Sequence, residues 1–436
     1  MNKLKGTAGQ RRRADELVRL AMEEFGDLEG SEVNFLSHAA FGQQIECSQR
    51  RNVRWDWQSL SKGSQNFGSL GFGQKIRGVL IEWLCTDRDA MKLVSHSGIN
   101  IYGAVVEGVI DIEGATVSFP IALECCAVPD GIVLYDSHVL ALQFDGSYVG
   151  KLHADRVRVD GSVHLRERFC AAGEVRFSGS LIGGNLSCRR GIFGSFTDFA
   201  LAIDGCKIDG FLLLDFKKVY FGKVGLAGAR TRFFIDSVND WPSSIDLTGF
   251  QYDSIHPDSV GNLKERLEWL HKHDETMKRE SIKRVSSSLH WRFNPQPYRQ
   301  LAKMLRHSGH DRFADEVMFA ASKRQAASQL KQLKENDKSR IDLVFLVWYW
   351  LLEWMIGFGY RRWLPLVWML GFFVMGAWMF SDFDPIDVFR SADPYPGGMQ
   401  PVQAKAAEAA LHGQSWLEGY PVFRPVAYSM DTFLPL

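Results

Sequence analysis

From residue 99 to 231 apolar or small residues recur every five or six positions. Segments can be laid under one another: INIYGAVV (99–106) over IDIEGATV (110–117), then 121–128 and 132–139, and later 201–208 and 212–219. Each unit reads roughly apolar-x-apolar-x-x-small-x-apolar. This step is neither the 3.6 of a helix nor the alternation of an ordinary strand. A short period held this long signals a solenoid, in which no coil buries a core alone. A step of five fits a square coil with one inward side chain per side. The inward series runs from 101, 106, 112 and 117, through 165, 170, 177 and 182, to 226 and 231. Four sides take about 21 residues, so six coils are expected, a rod of roughly 29 Å at ~4.8 Å per coil. Glycines suit the corners, where the backbone needs unusual φ or close approach. The competing reading is an antiparallel sandwich of short strands.

The repeat resembles the pentapeptide-repeat proteins, whose fold is a right-handed quadrilateral β-helix. That family favours a strict five-residue unit with an Ala and a polar residue before a central Leu or Phe. Here the extra residue in every other step implies bulged corners, and Arg156, Arg166 and Arg168 roughen the middle. The expected fold class is therefore mainly β: a right-handed parallel, pentapeptide-repeat-like β-helix with flanking α-helices and a C-terminal transmembrane helix.

Charge narrows the partners. The formal net charge is +0, so no polyanion is implied. Residues 99–252 hold 18 Asp and Glu against 14 Lys and Arg. That balance lacks the densely acidic face a DNA mimic needs, and no nucleic acid is expected. The seven cysteines, 47, 85, 125, 126, 170, 188 and 206, form no C-x-x-C pair and no zinc spacing. Cys170 and Cys188 fall on inward positions, and Cys126 and Cys206 on small-residue positions. Adjacent Cys125 and Cys126 cannot both point inward. Small buried thiols in a reducing compartment are the expectation.

The flanks read as helices. Residues 1–13 are charged and lack an apolar core, so no signal peptide is visible. Residues 14–25 have helical spacing, with Leu17, Val18, Leu20, Ala21 and Phe25 apolar. The glycines at 63, 68, 71 and 73 do not make the dinucleotide fingerprint and read as a loop. Over 74–87, Ile76, Val79, Leu80, Trp83 and Leu84 form one face of a helix placed to cap the first coil. Residues 245–252 read as a last half-coil and 262–272 as a helix. An αα-hairpin follows over 297–305 and 311–334, with Phe313, Ala314, Val317 and Ala320 inside. The expected divisions are 1–97 (capping region), 98–252 (β-helix), 253–340 (helical hairpin), 341–360 (interfacial helix), 361–380 (transmembrane helix) and 381–436 (extracytoplasmic tail).

Residues 363–380 hold eighteen residues and no charge. As a helix they are about 27 Å long, close to the ~30 Å hydrocarbon thickness. Arg361, Arg362 and Trp363 mark one interface and Trp378 lies near the other. Residues 341–360 carry Asp342 and Glu353, so an interfacial helix is preferred, with Trp348, Tyr349, Trp350 and Trp354 in the headgroup layer. The alternative is a hairpin of two spans. Basic residues (Lys323, Arg324, Lys331, Lys334, Lys338, Arg340, Arg361, Arg362) precede the span. Only Arg390, Lys405 and Arg424 follow it. The positive-inside rule then puts the rod in the cytoplasm.

Several stretches together resemble a functionally uncharacterised bacterial family of membrane-associated proteins with pentapeptide-like repeats. They are IRGVLIEWL (76–84), the repeat, the 297–312 hairpin, GFGYRRW (357–363) and YSMDTFLP (428–435). Members are often labelled membrane-associated oxidoreductases, and in the family the terminal motif leads to a second span. Its absence here implies a shortened chain or one piece of a split gene. The residues give the label no support: there is no dinucleotide fingerprint, redox pair, metalloprotease motif, nucleophile elbow or Walker loop. His271 and His273 fall on different helix faces, and His307 and His310 straddle a turn. All four read as solvated surface, as do Asp111, Glu113, Asp145 and Asp155 on outer faces. No catalytic, cofactor or metal residue is expected. The leading reading is a non-enzymatic scaffold in the bacterial inner membrane. Its expected partners are the bilayer, a protein on the β-helix faces and further copies of itself. An oxidoreductase with a site built from unreadable loops, or a channel-like oligomer, are the alternatives.

Overall fold

The structure, a computed structural model, describes residues 7–48, 55–60, 72, 74–284, 293–335, 339–361, 363–381 and 426–427. The chain divides into two compact units, Met1–Gln332 and Leu333–Leu436. The helices of the first unit are α1 (Ala8–Phe25), α2 (Gly30–Phe41), α3 (Trp57–Leu60), α4 (Gly78–Thr86), α5 (Arg88–Leu93), α6 (Pro257–Val260), α7 (Leu263–Arg284), α8 (Gln296–His307) and α9 (Asp311–Glu335), whose last residues enter the second unit. The second unit holds α10 (Ser339–Ile356) and α11 (Leu364–Ser381). Most of the expected tail lies outside the described residues, as do the glycine loop apart from Phe72 and Lys338.

The first unit is built on a parallel β-solenoid of about seven turns with four sides. Side one runs from Ile45–Glu46 through Ile99–Tyr102 to the second halves of Lys207–Leu214, Arg230–Asp236 and Gln251–Ile255. Side two runs from Lys75–Arg77 to Lys218–Val219, and side three from Ile110–Asp111 to Ile245–Asp246. Side four runs from Thr116–Val117 to Gln251–Ile255. Sides one and four fuse into one sheet where Lys207–Leu214 turns the corner between them. Register follows the sequence period: Ile99 pairs with Ile121, and Ile121 with Leu142, steps of 22 and 21 residues. Val175 pairs with Leu201, a step of 26, because the corner at 194–198 is longer. The sandwich alternative is excluded, since every strand pair here is parallel.

The expected count of six coils falls short of seven because both ends extend. Lys75–Arg77 is a strand, with Ile76 opposite Val106, and Ile45–Glu46 pairs with Ile101 and Tyr102. Neither shows a repeat, being a single copy outside the periodic run. The last half-coil expected over 245–252 is present, its second strand running on to Ile255.

Each side sends two residues inward, not one. Ile99 with Ile101, Ile121 with Leu123, and Leu142 with Phe144 all reach the core. On sides two and four the second place goes to small residues, among them Cys126, Ser137, Ser147, Ser180 and Cys206. The serines satisfy themselves against coil carbonyls. The Ser147 hydroxyl donates to Leu123 O (2.7 Å) and the Ser180 hydroxyl to Ala154 O (2.8 Å). Every fully buried Val, Leu, Ile or Phe contributes about 1.5–3 kcal/mol, and the stack repeats that gain coil by coil.

One position slips. Ala171, not Cys170, joins the inner core, while Cys170 sits in an outer cluster on side two. The corner before it holds an extra residue, with Glu167 and Arg168 both at positive φ (48° and 74°). A one-residue shift swaps the two faces of a strand. Cys188 faces inward as expected; Cys126 and Cys206, at small-residue positions, are buried, and Cys125 is half-buried.

Helices close both ends. α4 packs over the first coil, burying Leu80, Ile81 and Leu84. Val79, expected on that face, is exposed because the helix starts only at Gly78. At the far end the last coil leaves backbone amides with no further strand to bond. Side chains of α7 and α8 take them. Ile245 N–H donates to Thr276 Oγ1 (3.1 Å), Leu247 N–H to His273 Nδ1 (3.1 Å) and Gly249 N–H to Gln296 Oε1 (2.7 Å). Gln300 Nε2 donates to Tyr252 O (2.6 Å). The edge that would otherwise template aggregation is thereby satisfied. His273 is therefore not solvated surface: it is 1% exposed. His271, His307 and His310 are exposed as expected. α7 runs well past 272, and in the α8–α9 hairpin Phe313 is exposed while Ala314, Val317 and Ala321 are buried.

In the second unit α10 leads through a 3-10 turn, Gly357–Gly359, into α11, the two being bent by 114°. Among the described residues no single helix is long and apolar enough to cross a membrane. Val347–Gly359 and Leu364–Met379 meet that measure only together. The lone transmembrane helix expected over 361–380 is thus not supported.

Candidate functional site

Two surfaces stand out, one in each unit. In the second unit the elbow is fixed by its backbone. Gly357, Phe358 and Gly359 lie consecutively at φ 53°, 54° and 84°. Glycine takes this region freely, whereas Phe358 bears about 1–2 kcal/mol of strain there. Strain of this kind concentrates at functional positions. Trp350 stacks on Trp354 (5.0 Å between centroids), and Trp354 meets Trp368 edge-on (4.2 Å). Between the helices lies an apolar groove of about 290 Å³, lined by Met355, Ile356, Pro365, Trp368, Met369 and Phe372.

The residues expected at a membrane interface are mostly on the surface of this pair. Trp348, Trp350, Trp354, Trp363 and Trp378 are 49–72% exposed, and Arg361 is exposed beside the elbow. Arg362 lies outside the described residues. Trp368 was not singled out by sequence, because its aromatic neighbours along the chain hide it. Only the bend brings it against Trp354.

On the solenoid several outward acids form ion pairs, each joining two neighbouring coils. Asp136 pairs with Arg156, Asp145 with Arg166 and Asp155 with Arg176 (2.6, 2.6 and 2.5 Å). Asp155 is buried, so of the four expected solvated acids only Asp111 and Glu113 are fully exposed. Arg156 and Arg166 do not disturb the stack; they hold neighbouring coils together from outside. Side two is covered in cis. Trp55, Trp57, Leu60 and Phe72 pack on Tyr148, Cys170 and Ile192 as a second apolar cluster. Trp55 Nε1 donates to Gly146 O (2.6 Å) and Trp57 Nε1 to Ala171 O (2.8 Å). On side one His164 and Ser187 are register neighbours. His164 Nδ1 and Ser187 Oγ are buried without a hydrogen-bond partner, which is costly unless a ligand or partner supplies one.

The remaining chemistry is inert. Burial pushes the thiols of Cys47, Cys85, Cys170 and Cys206 up to about 12, so they stay protonated and un-nucleophilic at neutral pH. Among the described residues no three His, Cys, Asp or Glu side chains are grouped to hold a metal ion. Comparison of the chain with family models, with curated proteins and with solved structures yields no match.

Proposed function

We propose that this chain is a membrane-anchored, non-enzymatic scaffold, held in a bacterial inner membrane by the bent helix pair and offering the solenoid's outer sides to a protein partner. The observation that carries the reading is the surface of α11. Leu366, Val367, Leu370, Val374, Met375 and Trp378 are all 53–72% exposed on an eighteen-residue helix. So continuous an apolar surface calls for an apolar surrounding. α11 supplies about 27 Å of helix. α10, with Trp348, Trp350 and Trp354 outward, suits the headgroup layer. The basic residues before α11 favour a cytoplasmic solenoid. The resemblance to membrane-associated proteins with pentapeptide-like repeats agrees with this reading. On the solenoid, side one is the favoured partner surface, on the strength of His164 and Ser187.

Three tests apply. The chain is expected to stay with the membrane pellet through an alkaline carbonate wash, and release into the wash would refute anchoring. Alkaline phosphatase fused after Arg390 is expected to be active, whereas a stable but inactive fusion would refute the orientation. Flavin absorbance in the purified protein, or a thermal shift with a nicotinamide nucleotide, would overturn the non-enzymatic reading.

A further inference from the structure

We propose that the outward face of the α8–α9 hairpin docks on anionic lipid headgroups of the bilayer that anchors the chain. This rests on the membrane reading above and adds a second, peripheral contact to it. α8 has two faces. Tyr298, Leu301, Ala302, Met304 and Leu305 are buried, and the helix packs on the Gln251–Ile255 strand of the last coil. Arg299, Lys303, Arg306 and His307 are exposed on the other face, where residues three and four apart stand in line. Residues 296–307 contain no Asp or Glu. Arg306 is held by Asp315 of α9 (3.0 Å), and on α9 itself Arg312 faces Glu316 (3.8 Å). Among the described residues the Arg299 guanidinium and the Lys303 ammonium have no partner. The surplus positive charge of the face is theirs, and a negatively charged surface complements it.

The tip of the hairpin favours lipid over a soluble polyanion. There Phe313 is 43% exposed and stacks on His310 (6.0 Å between centroids). An exposed ring in line with cations suits the headgroup layer, where the ring leaves water and the charges stay at the phosphates. Each basic residue near anionic lipid gains about fivefold, the equivalent of ~1 kcal/mol. Two such residues do not hold a free protein on a membrane. They suffice for a tethered one, whose docking is an intramolecular step at high effective concentration. The tether is short, since α9 ends at Glu335 and α10 begins at Ser339. The 25 residues of α9 make a helix about 37 Å long. With the far end of α9 leading into α10, the tip meets the bilayer when the hairpin lies along the surface. Arg299 and Lys303 stand on the flank of α8, not at its end, as that orientation needs.

The test uses the full chain in nanodiscs of phosphatidylcholine alone or of an equimolar mixture with phosphatidylglycerol. Lys303 is its own probe: its rate of acylation by a hydroxysuccinimide ester is read by peptide mass spectrometry. With phosphatidylglycerol that rate is expected to fall about tenfold or more, the combined effect of two cations. Lys218, exposed on the solenoid, should react alike in both discs. High salt should restore the Lys303 rate, because it screens exposed charges. Arg299→Gln should cut the protection about fivefold, and Phe313→Asp should abolish most of it. Both positions are exposed, so neither change threatens the fold. Equal Lys303 rates in the two discs would overturn the proposal. So would equal slowing at Lys218, or protection that survives both substitutions. Protection produced by heparin in phosphatidylcholine discs, and not by phosphatidylglycerol, would give the face to a soluble polyanion instead. A chain washed off membranes by carbonate sinks the anchoring reading; one that stays anchored with Lys303 equally reactive in both discs sinks this inference alone.

Discussion

Leu214 and Lys218 lie four residues apart and have opposite environments. Leu214 is fully buried in the stack, while Lys218 is exposed with its ammonium over the Tyr220 ring (4.6 Å). Leu214→Asp buries an unpaired carboxylate and is expected to abolish folding or expression. Lys218→Asp should shift the unfolding free energy by no more than about 0.5 kcal/mol, an effect usual for surface positions. Equal behaviour of the two in a denaturation series would refute the register. His273 makes a second test. Its Nδ1 must be unprotonated to accept Leu247 N–H, and burial lowers its pKa despite the opposing pull of Asp246, Asp274 and Glu280. A histidine whose folded pKa is depressed binds fewer protons folded than unfolded. Its contribution is therefore whole above the unfolded value near 6.5 and is lost as pH falls below it. His153 and His164 are lowered by burial too, so the contribution is isolated by difference. The melting temperature of wild type should fall more steeply from pH 7 to pH 5 than that of His273→Gln, whose amide oxygen can still accept the bond. One inward position per side was legible from spacing, but the second was not, nor was the slip from Cys170 to Ala171. His273 was not, because its partner is the edge of a coil some 26 residues away.

Among the elements, the corners explain why the repeat tolerates an imperfect sequence. One residue per coil between sides three and four takes positive φ: Gly114, Asp136, Arg156, Gly179, Gly205, Gly228 and Gly249. Where glycine is missing, Asp136 and Arg156 occupy adjacent coils and pair with each other, offsetting part of the backbone strain. The strap over side two is an element no pattern announces. Trp57 is 1% exposed, stacks on Tyr220 (4.9 Å) and donates a buried hydrogen bond. Trp57→Ala is expected to cost about 3–5 kcal/mol, as truncation of a buried aromatic does. Leu181→Ala, half-exposed on side four, should cost no more than about 0.5 kcal/mol. Urea denaturation monitored on both variants checks the contrast, and equal midpoints would show that the strap does not support side two. Helices flanking the rod were readable from their apolar spacing. Their lengths were less so, since α7 continues as a polar-rich helix beyond 272 on the strength of its docking against the last coil.

At the scale of the whole molecule the solenoid is a stack whose ends are its weak points, because each coil depends on its neighbours. The distal cap carries a buried ion pair, Arg266 with Asp236 (2.6 Å), further held by Trp241 Nε1 (2.7 Å). A fragment 1–256 loses α7 and α8, uncovering the amides of Ile245, Leu247 and Gly249 and the aromatic floor at Phe234 and Trp241. It is expected to elute as large aggregates in size-exclusion chromatography, while 1–332 elutes as a discrete species. A well-behaved 1–256 fragment would show that the last coil needs no cap.

The sequence by itself determined the four-sided parallel stack, its approximate coil length and the flanking helices. It could do so because each coil repeats the same local rule: an apolar pair inward, a small residue, a corner. Only the tertiary structure decided what single-copy segments do. It placed Ile45–Glu46 and Lys75–Arg77 as extra strands, set the Trp55–Trp57 strap on side two, buried His273 in the cap and bent the apolar C-terminal run at Gly357–Gly359. Periodicity carries information about contacts between like units. It is silent about contacts made once, between unlike segments.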